Sequence, residues 1–125
     1  MENHVIWFNQ LGMGDVDKVG GKNASLGEMI SNLAKSEVKV PNGFATTAFA
    51  YREFIQENNL DSQIDELLAQ IDLEHLKDLA VIGKKIRDLI LNADFPQQFE
   101  SAVKEAFSTL EDSDSISFAV RSSAT

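Results

Sequence analysis

Two short stretches carry the chemistry this chain of 125 residues can offer: Gly20-Gly21-Lys22-Asn23 and Arg121-Ser122-Ser123. Paired glycines let backbone approach a ligand closely. A lysine beside them adds a compact, mobile charge suited to polyphosphate. That lysine opens an amphipathic pattern, with Leu26, Met29, Ile30 and Leu33 at i, i+3, i+4 and i+7. The start of a helix offers unpaired N–H groups and the positive end of the helix dipole. Arg121 follows the apolar run Ile116-Ser117-Phe118-Ala119-Val120. The end of a strand is a good place from which to project a planar guanidinium at a phosphate.

Neither stretch fits a standard nucleotide fingerprint. A Walker A loop needs four residues between its first glycine and the Gly-Lys pair, then Ser or Thr. Gly14 is too far from Gly21, and Asn23 follows the lysine. The G-x-G-x-x-G pattern fails as well, because Asp17 stands where a third glycine should follow Gly12 and Gly14. Read locally, Lys22 is either a phosphate ligand or an exposed lysine at a helix start. Arg121 is either a phosphate ligand or a surface arginine in an ion pair.

Other residue types point nowhere in particular. His4 and His75 lack metal-ligand spacing and are not expected to be catalytic. Asp15, Asp17, Asp61, Asp65, Asp112 and Asp114 read as helix caps and solvated surface rather than as a metal site. Phe44, Phe54, Phe99 and Phe107 fall at core spacing. No catalytic residue and no metal ligand is therefore assigned to this chain.

The elements that must position Lys22 and Arg121 follow from periodicity. Val5 to Phe8 predicts a first strand and Leu11 to Asp15 a turn. A helix is expected from about Lys22 to Ala34, extended chain at Val38-Lys39-Val40, and a turn at Pro41-Asn42-Gly43. Phe44 to Thr47 predicts a short strand whose threonines can cap the next helix. That helix would turn Ala48, Tyr51, Phe54 and Ile55 inward. Three further stripes predict helices: Ile64, Leu67, Leu68 and Ile71; Leu76, Leu79, Ala80, Gly83, Ile86 and Ile90; and Phe99, Ala102, Val103, Ala106, Phe107 and Leu110. Pro96 is well placed at the start of the last of these. Glu111 to Ser115 reads as an acidic loop, and Ile116 to Val120 as a final strand. The fold class is helix-rich α+β. The chain stops directly after that strand, and a truncated piece of a longer polypeptide is expected.

Composition narrows the partners. An apolar share of 43% suffices for a genuine core. With 20 acidic against 11 basic residues the net charge is −9, which argues against nucleic acid but leaves a nucleotide held by one or two local cations. There is no cysteine, so disulfides and thiolate chemistry are excluded and a cytoplasmic location is the default. No secretory signal and no membrane-spanning stretch is apparent, so no membrane partner is expected.

Three blocks taken together resemble one family. They are Gly20-Gly21-Lys22-Asn23-Ala24-Ser25-Leu26-Gly27-Glu28-Met29, Val40-Pro41-Asn42-Gly43-Phe44-Ala45-Thr46-Thr47 and Phe118-Ala119-Val120-Arg121-Ser122-Ser123-Ala124-Thr125. Their order and spacing, with the opening Trp7-Phe8-Asn9-Gln10-Leu11-Gly12-Met13, are similar to the N-terminal part of the nucleotide-binding domain of the phosphoenolpyruvate synthase (pyruvate, water dikinase) family. The helical middle, residues 58 to 115, is compatible but carries little family signal.

The resemblance implies a truncated N-terminal subdomain of an ATP-grasp-type, pyruvate phosphate dikinase-like domain, with residues 1–125 as its N-terminal portion. It implies an enzyme that turns ATP, pyruvate and water into AMP, phosphoenolpyruvate and phosphate through a phosphohistidine, in gluconeogenesis. Lys22 and Arg121 fall on the family's phosphate-contacting positions. Magnesium would be bound mainly by residues beyond this stretch, and the phosphohistidine and pyruvate-binding domains would lie elsewhere in the same polypeptide, a homo-oligomer when full length. The chain alone would hold half an ATP site and be inactive. Pyruvate, phosphate dikinase or a related phosphotransferase is the alternative. A stand-alone acidic module that contacts protein partners is the second.

Overall fold

A computed structural model of the chain describes residues 3–37, 41–72, 74, 77–110 and 117–125. It divides into two compact units, Met1–Tyr51 with Gln97–Thr125, and Arg52–Pro96. Among the described residues six helices accompany one two-stranded sheet, so the fold is helix-rich α+β.

In the first unit, strand β1 (Val5–Trp7) pairs antiparallel with β2 (Phe44–Thr46), with Ile6 opposite Ala45. Trp7 and Phe44 stand opposite each other, their rings edge-on at 5.6 Å. Such a pair adds to the ladder beyond its buried area. Thr47 then starts α3 (Ala48–Glu57) as expected, its Oγ1 accepting the Ala50 N–H at 3.1 Å. The same hydroxyl donates to the Asn3 carbonyl at 2.6 Å, so one cap also holds the chain that enters β1.

Between the strands, Phe8–Gln10 and Met13–Asp15 form 3-10 turns, followed by α1 (Val16–Val19) and α2 (Gly21–Ala34). The expected turn at 11–15 is thus tighter than a loop, and α1 was not foreseen, because four residues are too few to show a period. Leu11, Val19, Ala24 and Ala45 are buried together, with Ile6, Phe8 and Val16 packed against them. Helix α2 reaches this core by close approach. A Cβ on Gly27 would overlap the Leu11 side chain and stand 2.7 Å from its carbonyl oxygen. Also in this unit, α6 (Gln97–Leu110) begins directly after Pro96. Phe107 in α6 meets Phe118 at 5.0 Å.

In the second unit, α4 (Leu60–Ala69) and α5 (Lys77–Asn92) pack together. Phe54, Ile55 and Leu60 are buried, with Ile64, Leu89, Ile90 and Ala93 against them. Each large apolar side chain so buried stabilises by about 1.5–3 kcal/mol. Asn58 ties this unit, its Nδ2 donating to the Phe54 carbonyl at 2.9 Å and the Asp94 carbonyl at 2.8 Å.

Several expected inward positions are corrected. Tyr51 is 58% exposed, and Ala50 is buried in its place. Leu68 and Leu79 are exposed, while Ile82 is buried. The final strand does not form over its described residues: 117–120 join no sheet, and Val120 is 94% exposed. Alternation specifies a strand only when a neighbouring strand takes its hydrogen bonds. The expected extended segment Val38–Val40, the loop Glu111–Ser115, Ile116, and His75 and Leu76 lie outside the described residues.

Candidate functional site

Gly20 is the single joint between α1 and α2. Its N–H donates to the Val16 carbonyl at 2.8 Å and closes α1; its own carbonyl accepts the Ala24 N–H at 3.0 Å and opens α2. The chain turns between two helix axes within one residue, at φ 88° and ψ 162°. Residues other than glycine rarely adopt that φ. Space makes the same demand: a Cβ at Gly20 would overlap Ser123 Oγ and lie 2.8 Å from the Ala124 carbonyl oxygen.

Those two contacts mark where the distant blocks meet. The Gly21 N–H donates to the Ala124 carbonyl at 3.1 Å. The Asn23 N–H donates to Ser123 Oγ at 3.4 Å, across one hundred residues of chain. Lys22 sits between these two donors, and Arg121 sits two residues before Ser123. The structure therefore brings together the two segments that carry Lys22 and Arg121. Both are exposed. Among the described residues neither makes an ion pair.

One expectation about the helix start needs correction. Of the four N–H groups that open α2, that of the N-cap Gly20 is taken by Val16, and those of Gly21 and Asn23 by the C-terminal segment. Only that of Lys22 stays open among the described residues. The start of α2 is thus not a bare helix terminus.

Asn23, noted in the sequence only as the residue that spoils a Walker A match, has a structural role. Its Nδ2 donates to the Val19 carbonyl at 2.9 Å, satisfying the last carbonyl of α1. Glu28, one helical turn further on, accepts the Met13 N–H on Oε2 at 3.1 Å and holds the Met13–Asp15 turn to α2. Within that turn Asp15 accepts the Gly12 N–H at 3.1 Å and pairs with Lys18 at 3.2 Å. The Gly12 N–H first, and then Lys18, hold the Asp15 carboxyl below its ordinary value. Lys18 is thereby engaged, and Lys22 is the cation that α2 presents at the joint.

The second unit holds an open groove of about 630 Å³ beside α4 and α5, lined by Leu60, Gln63, Leu67, Lys85, Asp88 and Asn92 among others. It contains neither Lys22 nor Arg121. Among the described residues no three His, Asp or Glu side chains gather as a metal site, and no helix is long and apolar enough to cross a membrane.

Residues 16–125 match the family described as the AMP/ATP-binding domain of pyruvate phosphate dikinase. The chain is similar to phosphoenolpyruvate synthase of Escherichia coli (strain K12), 52% identical over 122 residues that cover 97% of this chain and 15% of that protein. It is 50% identical over 127 residues to phosphoenolpyruvate synthase of Neisseria meningitidis serogroup B, covering 99% of this chain and 16% of the relative. Probable phosphoenolpyruvate synthase of Methanocaldococcus jannaschii is 41% identical over 124 residues, covering 97% of this chain and 10% of the relative. The chain thus spans 10–16% of the length of these relatives.

Proposed function

Because the chain belongs to the family of the pyruvate phosphate dikinase AMP/ATP-binding domain, we propose that Lys22 and Arg121 grip the phosphates of ATP from the two sides of the Gly20 joint. The carrying observation is the double contact of Gly21 with Ala124 and of Asn23 with Ser123. It tethers both cations within two residues of one point. Against a net charge of −9, a polyphosphate needs such local cations. Phosphoryl transfer in turn depends chiefly on positioning and on charge placed where it develops.

The domain is read as the N-terminal portion of an ATP-grasp-type nucleotide-binding domain, contributing one wall of the ATP site. The full protein would act as a cytoplasmic phosphoenolpyruvate synthase. ATP would phosphorylate a histidine on a separate domain, and pyruvate would take that phosphoryl group. Water takes the remaining one, so the products are AMP, phosphoenolpyruvate and phosphate. The names of the relatives favour this over pyruvate, phosphate dikinase. Magnesium would neutralise phosphate charge when bound, held mainly by residues in other parts of the polypeptide.

In the full-length protein, Lys22→Ala and Arg121→Ala are each expected to slow histidine phosphorylation by ATP about a hundredfold or more. Circular dichroism and melting temperature should stay at their wild-type values. A wild-type rate in either variant removes that residue from the site.

A further inference from the structure

We infer that Ser123 is a positioning residue of the phosphate grip, its hydroxyl at the start of α2 setting the separation between Lys22 and Arg121. This rests on the phosphate reading of those two cations and goes one step beyond it. Among residues 117–125, Ser123 alone is not exposed. Its Oγ accepts the Asn23 N–H at 3.4 Å and occupies the space that a side chain on residue 20 would fill. The neighbouring Ala124 carbonyl, on the Gly21 N–H at 3.1 Å, fixes the direction in which the segment runs.

The consequence is geometric. Lys22 precedes Asn23 by one residue, and Arg121 precedes Ser123 by two. An extended chain advances at most about 3.3–3.6 Å per residue. The Arg121 Cα is therefore held within about 7 Å of the Ser123 Cα, while Lys22 stays with α2. Asn23 stiffens the other side, since its Nδ2 holds Val19 as its N–H holds Ser123. Ser123 acts through the two cations and need not touch the nucleotide.

The test uses calorimetric binding of ATP, and of adenosine as the phosphate-free probe, to the full-length protein. Ser123→Ala is expected to weaken ATP about tenfold, the scale of one lost hydrogen bond to a binding group, and to leave adenosine within about twofold. In a Lys22→Ala background the same change should add little, because the cation it positions is gone. Unchanged ATP affinity in Ser123→Ala overturns the inference and leaves the phosphate reading standing. So does an equal loss for ATP and adenosine, which marks a general structural role, or a full additive loss in the Lys22→Ala background. Unchanged ATP affinity in Lys22→Ala alone brings down the phosphate reading, and the inference with it.

Discussion

Gly27 and Gly83 both lie inside helices, one in each unit, and they do opposite things. Gly27 in α2 lets that helix lie against Leu11 so closely that a Cβ would overlap the leucine. Gly83 in α5 faces only the end of the Arg87 side chain, at 3.3 Å from where its Cβ would be. The first unit adds to its apolar core of Leu11, Val19, Ala24 and Ala45 two close approaches of the backbone, at Gly27 and at the Gly20 joint. The second is held by apolar side chains of α3 to α5, with an exposed Lys84–Asp88 pair at 3.0 Å on α5. The two segments that carry Lys22 and Arg121 meet in the first unit. There, the main-chain contact of Gly21 with Ala124 is joined by that of the Asn23 N–H with the Ser123 hydroxyl.

The sharpest way to break this contrast is substitution at both glycines. Gly27→Val is expected to cost about 2–3 kcal/mol in urea unfolding, because neither α2 nor Leu11 can yield without opening the core. Gly83→Ala should instead stabilise by about 0.5–1 kcal/mol, since the flexible arginine moves aside and the unfolded chain loses freedom. Effects of the same sign at both positions would erase the distinction between the units.

A smaller effect sharpens it at the Met13–Asp15 turn. The folded Asp15 carboxyl titrates below its unfolded value, held first by the Gly12 N–H and then by Lys18. Its stabilisation is fully present above the unfolded pKa of about 3.9 and fades as pH falls through the lower folded value. Asp15→Asn should cost no more than the ~0.2–1 kcal/mol of an exposed ion pair at neutral pH. The difference from wild type should vanish in acid. A difference that grows as pH falls would show that the charge is not what holds the turn.

The helices were legible wherever the apolar stripe was long: α2, α5 and α6 begin and end within a residue or two of their periodic runs. Lys22 and Arg121 stand out in the sequence by type beside small residues, and the segments that carry them meet in the structure. What could not be read depends on contacts distant in sequence. Alternation at 116–120 cannot reveal that no strand lies beside 117–120 among the described residues. Nothing in a Gly-Gly-Lys-Asn stretch tells that its asparagine ties one helix end while its N–H donates to a serine a hundred residues away. Tyr51 and Leu79 fit their stripes by spacing, yet Ala50 and Ile82 are the buried residues, because the neighbouring surface rather than the helix period decides which face is covered.

Amide hydrogen exchange of the full-length protein, followed as ATP is added, tests the convergence of the two blocks most directly. A phosphate grip at the Gly20 joint predicts slowed exchange in residues 20–25 and 121–125 together, with α4 and α5 unchanged. Slowing in only one of the two blocks, or at the groove beside α4 and α5 instead, would contradict it.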